Sequence, residues 1–383
     1  MNRLRLQAHA LWQRIDGLLS HEAARPILLG LAGLVVAGLA MLIYLRPSAV
    51  LEEEPEKVVF FQIGSGSSGG TEFAVGERLA AAISRPPDTP PCESNGPCGV
   101  AGLVAVVKSS QSDAASIRAV NARHFEAAIV SASSLEMAKR GTGPFRGEKP
   151  YRNIRAISRL YHQTIHVLAS RGLNAHSITD LKGKRVAIGP RGSIQRQDAL
   201  AILKAYGLGT HNMVLVDEDR DRAIELVISN RLDAFFLVGA DPVPELQDLI
   251  GRGVLDLLSV DGEPAQKLSA DDSRFEVAHL PENTYGFAPA LDTLAVSTVL
   301  ICNEQADADV IYGVTRALFY AGNKPLLASG QSLPGFLPAE QMASAAAASA
   351  DLATPLLAHL PIPVHAGAQR YYREAGVLAP ETP

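Results

Sequence analysis

The chain has 383 residues, 47% of them hydrophobic and 20% charged, which is too apolar for a disordered protein and long enough for about two or three domains. Its 35 Lys and Arg against 40 Asp and Glu give a net charge of −5, so it lacks the basic excess of a nucleic-acid-binding protein. With 3 Cys and 1 Trp, the composition excludes a disulfide-stapled mini-protein and argues against a site that stacks bases or sugars on aromatic rings.

The first predicted element is an apolar segment at 27–45 that carries no charged side chain. As a helix, its roughly 19 residues would span about 28 Å, close to the thickness of the hydrocarbon core of a membrane. Basic residues predominate before it and an acidic run follows it, which places the N-terminus in the cytoplasm. The sequence therefore predicts a cytoplasmic tail at 1–26, a transmembrane signal anchor at 27–45 and an acidic tether at 46–57, with a cleaved signal peptide as the alternative.

Beyond the tether, short apolar strands are each followed by a Ser- or Gly-rich loop and then by a helix. The predicted strands are 58–63, 102–107 and 127–130, and the predicted helices are 71–84, 113–122 and the segment after 134. This order is typical of a parallel sheet with crossover helices.

A second α/β pattern continues to the C-terminal region. It has predicted strands at 154–158, 166–170, 185–189, 214–216, 233–238 and 294–302, and predicted helices at 178–181, 196–206, 220–229, 307–320 and 339–353. The complete order predicts two α/β lobes, 58–160 plus 295–383 and 161–294, joined by strands that cross between them.

Hydroxyl-bearing residues stand directly before several of these helices. A helix start presents unpaired N–H groups and a partial positive charge, so several starts that meet in one crevice can bind an anion without a buried Lys or Arg. Open α/β sheets place such a crevice at the carboxyl ends of their strands. The hydroxyls that could assist belong to Ser65, Ser67, Thr71, Ser109, Ser131 and Ser193, and the alternative is that each residue only caps its helix.

Three shorter motifs match enzyme or metal signatures only in part. The glycines at 64–69 have the spacing of a dinucleotide loop, but no strand about 20 positions later ends in the acidic residue that would hold the ribose. The spacing at 66–70 matches a nucleophile elbow without a recognisable acid and histidine. His162 and His166 resemble half of a zinc helix, but Gln163 stands where the general base should be. The sequence therefore predicts no catalytic residue, cofactor or metal.

Two cysteines, Cys92 and Cys98, flank a short turn in a Pro-rich loop. An oxidising compartment outside the cytoplasm would favour a disulfide between them, and two unpaired loop thiols are the alternative. Cys302 lies in a predicted strand and is expected to be a small buried side chain.

Nearly all of residues 58–376 resemble the TAXI-type solute-binding proteins of TRAP transporters. The segments that carry the resemblance are IGSGSSGGTEFAVG (63–76), IRAISRLYHQTIHVLAS (154–170), ITDLKGKRVAIGPRGS (178–193), LDAFFLVG (232–239), ENTYGF (282–287) and LPIPVHAGAQRYYREAG (360–376). The opening motif and the RYYRE tail together are the most specific part, and PCESNGPCGV (91–100) looks like a loop found in one branch of the family.

The resemblance implies a type II periplasmic-binding-protein fold with two hinged lobes. Such a protein captures a small carboxylate, a glutamate-like amino acid or another organic acid, and hands it to the membrane permease subunits of a TRAP transporter. Carried over to this sequence, the ligand contacts are Ser65, Gly66, Gly70, Thr71, Tyr161, Gly192, Ser193 and Gln195, to which the helix-start argument adds Ser109 and Ser131.

The expected mechanism is hinge closure on the ligand without covalent chemistry. The carboxylate would meet loop N–H groups and the hydroxyls of Ser65, Thr71 and Ser193. Tyr161 would cover the apolar part of the ligand. Arg191, if it points inward, would pair with a second acidic group.

The chain departs from the family where the ligand should lie. Glu72 follows Thr71 where relatives have an aromatic or small residue, and Ile194-Gln195 follow Ser193 where relatives usually have Gly-Thr. Gln111-Ser112 stands where relatives usually have a Gly-Gly pair. These changes leave the identity of the ligand open.

The sequence thus predicts a solute receptor held in the inner (cytoplasmic) membrane by one helix, with its binding domain in the periplasm or outside. A ligand sensor or scaffold on the same fold, without a transport role, is one alternative. An enzyme on this fold is another, and it would need a strongly perturbed acid, base or nucleophile in the cleft.

Overall fold

The computed structural model describes residues 30, 33–39, 41, 58–66, 68, 71–93, 96–286, 288–328, 357 and 360–379. Residues 33–39 are helical, and apolar side chains such as Leu34 and Val36 are exposed there. No helix within the described ranges is both long and apolar enough to cross a membrane. The predicted tail and tether, most of the predicted anchor and the predicted helix 339–353 lie outside the described residues.

The strands of the described chain belong to one mixed sheet of 12 strands. They are β1 (Val59–Ser65), β2 (Ser84–Arg85), β3 (Val100–Ala101), β4 (Leu103–Ser109), β5 (Ala127–Ser131), β6 (Ile154–Ser170), β7 (Arg185–Ala187), β8 (Val214–Val216), β9 (Ala234–Gly239), β10 (Leu255–Leu258), β11 (Phe275–Leu280) and β12 (Leu291–Asn303). Their order in the sheet is β3-β2-β4-β1-β5-β12-β6-β9-β7-β8, with β10 on β6 and β11 on β12.

The helices of the described part from residue 71 onwards cover both faces of this sheet. They are α1 (Thr71–Ile83), α2 (Asp113–Asn121), α3 (Ala132–Arg140), α4 (Ile194–Ala205), α5 (Arg220–Ile228), α6 (Pro244–Gly251), α7 (Gly262–Asp271), α8 (Ala308–Phe319), α9 (Lys324–Ala328) and α10 (Ala366–Glu374). The predicted α/β class is confirmed by this alternation of strands and helices.

Two groups of parallel strands make up the sheet. β1 pairs in parallel with β4 and β5, and β7 pairs in parallel with β8 and β9. Because parallel strands end at the same edge, the loops that lead into α1, α2 and α3 are brought together, as are the loops that follow β7 and β9.

Both faces of the inner strands β5 and β9 are buried, as the alternation of their side chains shows. In β5, Ile129 lies in one apolar cluster and Val130 lies in another on the opposite face. In β9, Phe236 lies in one apolar cluster and Phe235 lies in another on the opposite face. The inner strands of both groups therefore read as continuous apolar runs, as expected for a sheet covered by helices on both sides. We call the group built around β1, β4 and β5 the first half and the group around β7, β8 and β9 the second half.

The long antiparallel strands β6 and β12 connect the two halves. β12 pairs with β11 through its N-terminal part and with β5 through its C-terminal part, and it pairs with β6 along most of its length. The β6–β12 ladder shifts register between Thr298 and Val299 and again between Leu300 and Ile301. These irregularities bend the ladder where it passes from one half to the other.

The structure corrects one prediction in this region. The segments 154–158 and 166–170 are not separate strands, since β6 runs unbroken for 17 residues. Polar residues interrupt its apolar pattern, but the backbone of the strand still pairs with its neighbours in the sheet. Arg159 pairs with Glu276 on β11 at 2.9 Å, and β12 supplies the backbone partners of the intervening residues.

The Pro-rich loop after β2 is closed by a disulfide between Cys92 and Cys98, whose Cα atoms are 5.5 Å apart. The buried Asn323 docks this loop onto the first half, since its Oδ1 accepts from the Cys98 N–H at 2.7 Å and its Nδ2 donates to Ala317 O at 2.8 Å. Cys302 is a buried thiol whose pKa is raised by burial, as expected for a small core side chain.

The C-terminal helix α10 completes the core of the first half. Tyr372 is fully buried, and its hydroxyl donates to Ile157 O on β6 at 3.0 Å. Helices α8 and α10 approach so closely that a Cβ on Gly367 would lie 2.2 Å from Ala308 O, so only glycine fits there.

Candidate functional site

A cavity of about 410 Å³ lies where the carboxyl ends of the strands of the two halves face each other. The first half contributes the starts of α1, α2 and α3, and the second half contributes the start of α4 and the end of β9. The side chains that line it are those of Glu72, Ser112, Asp113, Ala114, Val130, Ser131, Pro144, Gln163, Ser193, Ile194, Gln195, Asp198, Val238, Val296 and Thr298, together with the backbone of Gly192.

Three of the four helices that begin at this cavity, α2, α3 and α4, are each capped by a serine that lines it. The hydroxyl of Ser112 accepts from Ala115 N at 3.2 Å, that of Ser131 from Ser134 N at 3.2 Å, and that of Ser193 from Arg196 N at 3.1 Å. The caps fix the direction in which the helix starts point, so the partial positive ends of α2, α3 and α4 face one space.

Asp113 ties the starts of α2 and α3 together. Its Oδ2 accepts from Ser131 N at 2.8 Å, from Ser131 Oγ at 2.8 Å and from Ser134 Oγ at 2.6 Å. The Ser131 hydroxyl hydrogen is therefore already donated within the protein. One lone pair of the Ser131 oxygen accepts from Ser134 N, so at most one lone pair remains for a ligand.

Glu72 links the start of α1 to the central strand β6. Its Oε1 accepts from Gln163 Nε2 at 2.6 Å, which holds the carboxylate at the cavity wall. Its Oε2 lies beside Gly66, where a Cβ would come within 3.3 Å of it. A glycine at position 66 therefore leaves room for this carboxylate.

Asp198, on α4, forms a hydrogen bond across the cleft. Its Oδ1 accepts from Ser133 Oγ on α3 at 2.9 Å and lies 3.2 Å from Arg274 Nη1, while Arg274 also pairs with Asp272 at 2.6 Å. Burial raises the pKa of the Asp198 carboxyl to about 7, against the opposing effect of Arg274. A carboxyl that titrates near neutral pH thus lies at the contact between the two halves.

Three buried hydroxyls beside the cavity make no hydrogen bond of acceptable geometry with any described residue. They belong to Ser65, Tyr161 and Thr298, each at most 1% exposed. Thr298 lines the cavity and is the ladder partner of Tyr161. Burial raises the pKa of Tyr161 and the charge of Glu72 raises it further, the side chains of Thr298 and Gln163 beside this hydroxyl oppose the rise, and the charge of Asp113 adds to it.

The structure brings part of the predicted site to the cavity. Ser131, Gly192, Ser193 and Gln195 line it, whereas Tyr161 and Ser65 are buried behind it. Thr71 is the half-buried first residue of α1, Ser109 is exposed at the end of β4, and neither is among the lining residues, nor is Gly66. Gly70 and Ser67 lie outside the described residues.

Two of the predicted polar contacts have other roles here. The side chain of Arg191 is 88% exposed and pairs with Asp217 at 2.8 Å, so it does not point into the cavity. The amide of Gln195 donates to Phe236 O on β9 at 2.8 Å and therefore holds α4 against the sheet.

The histidine pair of β6 is kept apart by the extended strand. His166 is fully buried, shares a hydrogen bond with the Tyr285 hydroxyl at 2.6 Å and lies 3.0 Å from Asp241 Oδ1. No group of three acidic, histidine or cysteine side chains placed to hold a metal was found among the described residues.

Asp113, Gln163, Asp198 and Thr298 were not among the predicted site residues. Asp113 carries a signal in the sequence, because it opens a predicted helix next to two predicted hydroxyl loops. Asp198 and Thr298 lie inside predicted regular elements, where nothing local indicates that they face a cleft.

Among solved structures, the chain resembles the alkanesulfonate-binding protein SsuA from Xanthomonas axonopodis pv. citri bound to MOPS, with 14% identity, 73% of this chain and 81% of that chain covered, and a TM-score of 0.38. It also resembles MatC from Rhodopseudomonas palustris with bound malate, at 10% identity, 70% and 87% coverage and a TM-score of 0.43. A TctC solute-binding protein from Polaromonas without ligand matches at 14% identity, 72% and 87% coverage and a TM-score of 0.48. These likenesses concern the fold and transfer no ligand to this chain.

A family model described as the NMT1-like family matches residues 63–376, which include the end of β1 and every described element from α1 to α10. The match therefore covers the sheet, both halves and the cavity between them. On this basis the chain belongs to the NMT1-like family.

Proposed function

We propose that this protein is an extracytoplasmic receptor that binds a small carboxylate between its two halves. The observation that carries the proposal is the cavity of about 410 Å³, which is lined from both halves and faces the starts of α2, α3 and α4. Clefts of roughly 300–1,000 Å³ are typical of small-molecule sites, and helix starts favour anions.

The proposed ligand site keeps the predicted residues that fit this cavity. The carboxylate would meet N–H groups near Gly192 and the hydroxyl of Ser193, both of which line the space. Ser65 and Tyr161 would act from behind the cavity wall, where their hydroxyls are buried. Gly66, Thr71 and Ser109 would act by shaping or closing the loops at its entrance, and Gly70, which lies outside the described residues, stays a predicted contact.

Closure would move residues 161–294 against residues 58–160 plus 295–383 about β6 and β12. The hydrogen bond between Ser133 and Asp198 supports this idea, because it joins α3 of one half to α4 of the other. Binding would involve no covalent step, so the proposal is a receptor and not an enzyme.

We further propose that the chain is a TAXI-type solute-binding protein of a TRAP transporter. The receptor would deliver its ligand to TRAP-type permease subunits, and the segment 27–45 would anchor it as a single-pass protein in the inner membrane with the cleft outside. The six sequence segments quoted above support this assignment.

A thermal-shift screen of the full chain in detergent tests the receptor function. The panel contains carboxylates with and without an amine, sugars and metal cations. A carboxylate present at 100 times its Kd should stabilise the folded state by about 2.7 kcal/mol, because only the folded state has the cleft. Shifts with sugars or metal cations, and none with any carboxylate, would contradict the proposal.

A further inference from the structure

The charge of the cavity is negative. Glu72 and Asp113 line its first-half side and no Lys or Arg appears among the described lining residues, while the third lining carboxyl, Asp198, is paired with Arg274. A cavity built to accept only a dicarboxylate would be expected to carry the opposite charge.

The nearby guanidinium groups are already paired with other carboxylates. Arg274 is shared between Asp272 and Asp198. Arg191 and Arg196 both pair with Asp217, at 2.8 Å and 2.7 Å. The charges of Glu72 and Asp113 therefore have no cation of the described chain assigned to them at the cavity.

Both carboxylates are held in place by their own hydrogen bonds. Gln163 fixes Glu72 through one oxygen, and three donors on the α3 side fix Asp113 through Oδ2. The second oxygen of each carboxylate is Oε2 of Glu72 or Oδ1 of Asp113. Among the described residues it accepts no hydrogen bond and forms no ion pair. Oriented carboxylates with a free oxygen are suited to receive a charged N–H donor.

An independent feature of the same wall also calls for a ligand. Thr298 is 1% exposed and lines the cavity, and its hydroxyl has no partner of acceptable geometry among the described residues. A buried polar group without a partner is costly, so a ligand polar atom that reaches it would be favoured.

We propose that Glu72, Asp113 and Thr298 form a subsite for a cationic nitrogen of the ligand, an ammonium or a guanidinium. The inference rests on the proposed receptor function and narrows it. The preferred ligands are small monocarboxylates that carry an amine or guanidine and have a net charge of zero or above. Dicarboxylates such as glutarate are repelled by the charges of Glu72 and Asp113.

Calorimetric titration of the full chain in detergent tests this subsite. The probes are the twenty amino acids, their amine-free carboxylate counterparts and glutarate. We expect the tightest probe to carry an amine or guanidine and no second carboxylate. Glu72→Gln should weaken that probe at least about tenfold, because it removes the charge but keeps an amide oxygen that can accept from Gln163.

Two controls separate charge from folding. Glu77→Gln alters an exposed residue of the same helix outside the cavity and should leave the Kd unchanged. Asp113→Asn should also weaken the amine-bearing probe, and since Asp113 organises two helix starts, Glu72→Gln carries the test if this second variant does not fold.

The outcomes separate this inference from the receptor proposal. If amine-free carboxylates or glutarate bind more tightly than any amine-bearing probe, or if Glu72→Gln binds its probe as the wild type does, the receptor stands and the cationic subsite is wrong. If no carboxylate of either class binds, the receptor proposal fails and the subsite fails with it.

Discussion

At the scale of single residues, Asp198 has the most unusual environment in the cleft. It is 2% exposed, it receives a hydrogen bond from Ser133 across the two halves, and burial raises its pKa to about 7. Its protonation state therefore changes in the range where most side-chain carboxyls of the protein are already ionised.

This environment predicts a pH dependence of stability. The pKa of Asp198 lies at about 7 in the folded state and near its ordinary 3.8 in the unfolded state, so the folded protein holds an extra proton between these values. The contribution of this group to the free energy of unfolding should therefore fall as pH rises from 3.8 to about 7 and level off above. Urea unfolding of the wild type and of Asp198→Asn across this range measures it, and equal pH profiles of the two proteins would refute it.

Residue identities in the cleft were only partly predictable from sequence. The position of Ser193 before a predicted helix indicated a helix cap in a binding loop. In the structure Ser193 caps α4 and lines the cavity. Glu72 was recognised as unusual, but its contact with Gln163 joins residues 91 positions apart, which no local pattern reveals. Thr298 sits in the middle of β12, and its lack of a partner depends on three-dimensional packing alone.

At the scale of elements, the disulfide loop gives a second stability prediction. Replacing both Cys92 and Cys98 by Ser should lower the free energy of unfolding by about 2 kcal/mol. This is the effect expected of a disulfide that closes a short loop between cysteines 6 positions apart in the sequence. Asn323 would still hold the loop, so the fold should survive. Urea titrations with and without reductant measure the effect.

The reductant supplies the control for this prediction. Reduced wild type should match the double Ser variant, while the variant itself should not respond to reductant. A variant as stable as the oxidised wild type would show that the bridge contributes nothing beyond the hydrogen bonds of Asn323.

Elements with a continuous apolar run were predictable, and those without one were not. β1, α1 and β5 were predicted within two residues at each end because their apolar residues are consecutive or fall at helical spacing. In contrast, α7 buries only Ala265, and β11 is exposed along alternate positions, so neither has a strong pattern. These two elements, with α6, β10 and α10, were missing from the predicted set.

At the scale of the whole molecule, the shared strands β6 and β12 predict cooperative unfolding. β12 supplies backbone partners to β5 of the first half, β6 supplies them to β9 of the second half, and the two strands pair with each other, so the sheet of the two halves is continuous. Hydrogen exchange followed by mass spectrometry across a urea series should show β1 and β9 losing protection at the same urea concentration. Clearly separate midpoints for the two strands would mean that the halves unfold independently.

The two groups of parallel strands were predictable, because strand–loop–helix units repeat on both sides of residues 154–170. The course of β6 was not, since its polar residues Arg159, His162 and Gln163 made one long strand look like two short ones. The partner of Arg159 is Glu276, 117 residues away, and that of Gln163 is Glu72, 91 residues away.

The buried position of Tyr372 bears on how the chain matures. Its hydroxyl donates to Ile157 O, and α10 covers a core that begins at β1, so the core of the first half is completed by the last described helix. A growing polypeptide therefore lacks this part of the core until residues 366–374 have been synthesised. The late completion of this core suits the proposed passage across the membrane, because a translocation pore requires a chain that has not yet folded.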